Sequence, residues 1–133
     1  MKGISLLLTG VTIFTSAFAH SAQETENALA AVNLFSLGFN GFVAKKMPQQ
    51  LIYEKALSDH SAVTLFQKVL GASDATPEAK AYAACGLWEK RAPERIALKK
   101  EDAALRVTLL TGDTLRQEPL ERVIENIRLH GCR

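Results

Sequence analysis

Cys85 and Cys132 are the residues of this chain with the most sharply defined chemistry open to them. A thiol pair does redox work or holds a metal when its sulfurs are close in sequence, as in Cys-x-x-Cys, and that spacing is absent here. The pair is therefore expected to be a structural disulfide, and closing so long a loop is worth about 4 kcal/mol on the chain-entropy account. Other reactive arrangements find no footing. There is no Gly-x-Ser-x-Gly elbow, and no Cys and His set survives once the disulfide forms. No Gly-rich loop precedes a helix to cradle phosphate. The acids Glu89, Glu94, Glu101 and Asp102 are interleaved with Lys90, Arg91, Arg95, Lys99 and Lys100, the pattern of a solvated helical face rather than of paired catalytic carboxylates. No catalytic residue and no cofactor is expected, and the chain does not read as an enzyme.

Binding is better served. Phe39-Asn40-Gly41-Phe42 has no periodicity and, with Gly38, two glycines within four positions, so it reads as a loop carrying two large aromatics. With Lys45 and Lys46 beside them, Phe39, Asn40 and Phe42 make a candidate partner-binding surface of aromatic anchors rimmed by charge. The competing reading folds both phenylalanines back over the first helices as core. Tyr82 and Trp88, one helical turn from several alanines, read as core.

Lys2 is the only charge before Glu24, and the stretch from Ile4 to Phe18 is apolar or hydroxylic, ending in Ala17-Phe18-Ala19. This is the order of a secretory signal, with cleavage expected between Ala19 and His20. Thr9, Thr12, Thr15 and Ser16 interrupt the run, which falls short of the roughly 20 apolar residues of a spanning helix. The expectation is a signal peptide over 1–19, a single domain over 20–133, export to the periplasm and no transmembrane segment thereafter. The absence of a cysteine after the cleavage site speaks against a lipoprotein. The formal charge of the 133 residues is +2, and the leader removes one lysine and no acid. So balanced a chain has no electrostatic footprint for nucleic acid.

Cleavage there would make His20 the first residue, offering an amine and an imidazole to copper. In this it resembles the terminal histidine of periplasmic copper carriers and of copper oxygenases. Those families are β-rich and need a further histidine at a fixed place, whereas His60 and His130 read as first-turn and last-turn residues of helices. No metal site is assigned, and copper at His20 stands as part of an alternative function.

The elements that would position these residues are read from apolar spacing and punctuation. A helix is expected over 24–37, with Ala28, Leu29, Val32 and Phe35 on one face and Gly38 as its stop. Pro48 opens a second, and Ala62, Val63, Phe66, Val69 and Leu70 stripe a third that ends at Gly71. Thr76-Pro77-Glu78 starts a fourth, whose Ala79, Ala81, Ala83, Ala84, Cys85 and Gly86 allow close approach of a neighbour. Residues 93–106 are expected to form a further helix, and Pro119 opens the last, with Leu120, Val123, Ile124 and Ile127 in register. Val107-Thr108-Leu109-Leu110 has strand propensity but no evident partner, and Thr111-Gly112-Asp113 ends it as a turn. The expected fold is all-α, a compact bundle of about five to six short helices. Residues 60–90, with Leu70-Gly71 ending one helix and Thr76-Pro77 opening an Ala-rich inner one, resemble one unit of the HEAT or armadillo-like repeats. The resemblance implies a packed helical hairpin and carries no functional residue with it.

These readings converge on a small exported helical protein that binds another protein. Its architecture and compartment look like those of the immunity proteins that protect bacteria from cell-wall amidases delivered by type VI secretion, an analogy with no motif behind it. The alternatives are an envelope or stress protein binding a small ligand or copper, and an interaction module of a larger envelope assembly.

Overall fold

The computed structural model describes Gly3, residues 16–38, Asn40 and residues 44–132. Most of the expected signal peptide, together with Phe39, Gly41, Phe42 and Val43, lies outside the described residues. The elements in order are α1 (Ser16–Ala30), α2 (Pro48–Leu57), α3 (Ala62–Gly71), α4 (Pro77–Glu89), single 3-10 turns at Pro93–Arg95 and Lys100–Asp102, β1 (Arg106–Thr111), β2 (Thr114–Pro119) and α5 (Leu120–His130).

The fold is built on α4. Thr76 caps it as its sequence promises: the hydroxyl accepts from the Ala79 N–H at 3.1 Å and itself donates to the Val32 carbonyl. The Thr76 N–H reaches the Ala30 carbonyl at 3.0 Å, so the start of α4 is tied to the end of α1. Every residue from Glu78 to Leu87 is buried, the state of a helix enclosed on all sides. Small side chains permit that enclosure. A Cβ placed on Gly86 would stand 2.2 Å from the Phe66 ring, so α3 and α4 approach to a distance that only glycine allows there. Phe66 lies by Gly86, and the Leu70 carbonyl by the Lys80 side chain, so the two helices run antiparallel.

Lys80, only 1% exposed, is tolerated inside because its ammonium donates to Asp102 Oδ2 at 2.5 Å and to the Leu70 carbonyl at 3.2 Å. That pair draws the 3-10 turn Lys100–Asp102 onto the helical hairpin. At the other end of α4, Cys85 and Cys132 form the expected disulfide, 47 residues apart with Cα atoms 5.7 Å from each other. Gly131 turns the chain at φ +76°, and a Cβ there would stand 2.7 Å from the Trp88 ring, so this closure also requires a glycine. The α5 stripe is buried as read, with Leu120, Val123, Ile124 and Ile127 inward.

The expectation of an all-α bundle is overturned by β1 and β2, an antiparallel hairpin in the register Arg106↔Pro119 to Thr111↔Thr114. The two-residue connection Gly112-Asp113 has a positive φ at Gly112 alone, as in a type II′ turn, whose twist suits a hairpin. β1 is paired on both edges. Phe35 donates to the Thr108 carbonyl at 2.9 Å and accepts from the Leu110 N–H at 3.0 Å, a parallel bridge on the side away from β2. Phe35 therefore does not continue the first helix, which ends at Ala30 rather than near Gly38. The helix expected over 93–106 is replaced by the two 3-10 turns. Between Pro93 and Leu105 only Ile96 and Asp102 are buried, too little apolar surface to hold a helix against the core. No helix among the described residues is long and apolar enough to cross a membrane.

The Gly86 contact yields a comparison. Gly86→Ala is expected to destabilise the protein by about 1–3 kcal/mol through overpacking against Phe66. Gly71→Ala, at a helical glycine with nothing within 4 Å of the added carbon, is expected to raise stability by up to about 1 kcal/mol. Urea unfolding of the two variants beside the parent checks this, and equal midpoints would contradict the close α3–α4 approach.

Candidate functional site

Alternation along the hairpin decides which side chains face α5. Val107 and Leu109 of β1 are buried, and their register partners Glu118 and Arg116 lie on the same face of β2. That face, α5 and the segment around Ser36 enclose a cleft of about 430 Å³. Leu109, Arg116 and Glu118 form its floor, Val123, Asn126 and Ile127 one wall, Ser36 and Asn40 the other, and Gly131 and Cys132 close one end. Arg116 Nε lies 3.6 Å from Glu118 Oε1, so the floor presents both signs of charge. Beyond this pair a shallower groove runs along α5, lined by Glu121, Arg122, Glu125 and Leu129. Leu129 is 66% exposed there.

The Ser36 wall is held by Tyr82. Its hydroxyl donates to the Ser36 carbonyl at 2.6 Å and accepts from the Ser36 N–H at 2.9 Å. The ring is fully buried, with Phe35 edge-on at 4.8 Å and Tyr53 stacked at 5.1 Å between centroids. Burial pushes the Tyr82 hydroxyl up to about 12, against the opposing hydrogen bond from Ser36. Burial raises that of Tyr53 as well. Tyr82 therefore stays neutral and able to donate across the physiological range.

The candidate loop is anchored on this wall. Asn40 Nδ2 donates to Ser36 Oγ at 2.6 Å, and Asn40 and Lys45 exchange backbone hydrogen bonds at 2.9 and 3.0 Å. Ala44 adopts a positive φ of 51° beside this pairing, a conformation uncommon outside glycine. Of the residues read as a partner surface, Asn40 is 5% exposed and joins the loop base to the cleft wall. Lys45 is exposed. Lys46 is half-buried and pairs with Glu54 at 2.7 Å, and this hydrogen bond, with a second from Gln50, holds the Glu54 carboxyl below the usual carboxylate range. Phe39 and Phe42 lie outside the described residues.

The sequence reading missed Arg116, Glu118 and Asn126. A signal for the first two was present, because Gly112-Asp113 between Leu110 and Leu115 is a two-residue hairpin signature that puts Arg116 and Glu118 on one face. His20 is exposed on α1, His60 follows α2 in an exposed turn and His130 is exposed at the end of α5. Among the described residues no three groups of metal-ligand type come together. The cleft presents Leu109 beside the opposed charges of Arg116 and Glu118, the carboxamides of Asn40 and Asn126 and the Ser36 hydroxyl.

Tyr82→Phe is expected to cost about 1–3 kcal/mol, because it leaves the buried Ser36 N–H without its acceptor. The pH dependence follows from the raised hydroxyl. In the unfolded chain the phenol ionises from its ordinary value of 10.0 and in the folded protein only near 12. The unfolded state thus binds fewer protons over that interval, and stability falls as pH rises through it. Urea unfolding on both sides of pH 10 is expected to show this fall in the parent and a smaller one in Tyr82→Phe; identical slopes would contradict the assignment.

Compared with protein-family models, with curated proteins and with solved structures, the chain matches none.

Proposed function

We propose that this is a small exported protein that holds or inhibits another protein, in the manner of immunity proteins directed against cell-wall-degrading effectors. The observation that carries the reading is the cleft between β2, α5 and the Ser36 segment, of about 430 Å³, in which Leu109, Val123 and Ile127 stand beside the opposed charges of Arg116 and Glu118. Its wall is fixed by the hydrogen bond that the buried Tyr82 hydroxyl donates to the Ser36 carbonyl and the one it accepts from the Ser36 N–H, so a partner meets a wall that is already held and little conformational entropy is lost there on binding. The backbone pairing of Asn40 with Lys45 brings the exposed Lys45 beside the cleft wall. Export rests on the sequence of the first nineteen residues and is supported by the Cys85–Cys132 disulfide, a bond that persists in oxidising compartments.

The test starts from the processed, oxidised protein immobilised and exposed to periplasmic and secreted extracts, with the captured species identified by mass. The purified partner is then titrated against the parent and against Asn126→Arg, a change at an exposed α5 position that leaves the core untouched. Binding is expected to weaken about tenfold or more, as for a central interface residue replaced by a bulky charge. If the captured partner is a cell-wall hydrolase, its activity is expected to fall with increasing parent protein. Parent-like affinity of Asn126→Arg together with weakening by Lys45→Glu would move the interface from the cleft to the loop. Failure to capture any protein would count against the whole reading.

A further inference from the structure

The outer edge of β2 is where this fold leaves backbone hydrogen bonding unfinished. The Thr108 carbonyl and Leu110 N–H are bonded to Phe35, so the backbone groups of Val107, Leu109 and Thr111 turn the other way, toward β2. In the observed register they meet Glu118, Arg116 and Thr114. The backbone N–H and C=O of Leu115 and Gln117 therefore point away from β1, and among the described residues no backbone group meets them. The Arg106 guanidinium touches the Gln117 carbonyl at 3.2 Å, an exposed contact that solvent can replace. Thr114 to Gln117 are all exposed, Leu115 to 63%. An edge this open is a template for another strand.

The strand itself specifies which one. Turned antiparallel about Gln117, the sequence Leu115-Arg116-Gln117-Glu118-Pro119 is complementary to itself. Gln117 faces Gln117 of a second copy, and the two outward-pointing residues exchange both backbone hydrogen bonds. On the α5 side Arg116 of each copy faces Glu118 of the other, giving two reciprocal ion pairs. On the opposite side Leu115 of each copy faces Pro119 of the other, covering the most exposed apolar residue of the hairpin. Edges protected against association carry lysines, like charges or proline; here Pro119 removes a donor only at the end of the strand, leaving at most one backbone bond between it and Leu115 of the other copy. Opposite charges stand symmetrically about a neutral centre, and directly opposed unlike charges are favourable across a strand pair.

We propose that two copies of this chain associate through β2 across a twofold axis at Gln117, joining their hairpins into one four-stranded antiparallel sheet. The interface is isologous, so it closes at the dimer and leaves no edge for further growth. It rests on the strand edge, and its ion pairs use Arg116 and Glu118, which also line the cleft.

Sedimentation equilibrium of the full processed, oxidised protein over a concentration series tests it. The parent is expected to dimerise. Arg116→Glu and Glu118→Arg each place like charges opposite one another in both pairs, and each is expected to weaken self-association by about tenfold or more. An equimolar mixture of the two variants is expected to recover parent-like dimerisation, because the introduced glutamate of one variant then faces the introduced arginine of the other, and the retained Arg116 faces the retained Glu118. The Arg116–Glu118 pair within each chain stays broken in the mixture, so only pairing between chains accounts for a recovery. A monomeric parent, variants that dimerise as the parent does, or a mixture no better than its components would each overturn the proposal.

Discussion

A helix buried on every side must find an internal partner for each polar group it carries, and α4 is such a helix. Its polar side chains are the means by which the rest of the chain is attached. Glu78 accepts from the Thr108 N–H at 3.2 Å and holds β1. Lys80 holds Asp102 and the end of α3, and Tyr82 holds the Ser36 segment. Glu78 and Tyr82, four residues apart, lie on one face, and the two segments they capture are those that pair with each other through Phe35 and β1. Lys80, between them in sequence, points to another side and captures a different segment. The disulfide at Cys85 does the same covalently for the C-terminus.

This arrangement explains which parts of the fold were legible. The end of α3, the start of α4 and the buried stripe of α5 followed from local signals: a stripe ending at Gly71, the Thr76-Pro77 start, and the spacing from Leu120 to Ile127. The sequence also indicated that α4 was central, through its small residues. What it did not reveal were the three tethers, since nothing local in Glu78, Lys80 or Tyr82 names Thr108, Asp102 or Ser36 as partner. The end of α1 was misread for the same reason. Val32 and Phe35 keep helical spacing with Ala28 and Leu29, but Phe35 is drawn into a bridge with β1, and tertiary pairing overrides periodicity.

The hairpin shows a different limit. β1 carries apolar residues in its core-facing positions and was noticed, whereas β2 is exposed over most of its length and has no apolar alternation to notice. A strand with one solvated edge and few buried side chains is specified by its turn and its neighbour rather than by its own composition. The cleft was illegible with it, because Arg116 and Glu118 acquire a common direction only once β2 is a strand. Of the residues nominated for binding, Asn40 does reach the cleft, but as a buried side chain hydrogen-bonded to Ser36.

The same tethers bear on how the surface works. A partner that displaced the Ser36 wall would have to break two hydrogen bonds to a fully buried phenol and pull Phe35 from its edge-on contact with the same ring, so under the proposed function the cleft is expected to bind without rearranging. Its floor carries Arg116 and Glu118, the same two side chains that the proposed strand pairing sets against a second copy, so a ligand held by those charges and a paired β2 draw on one set of groups.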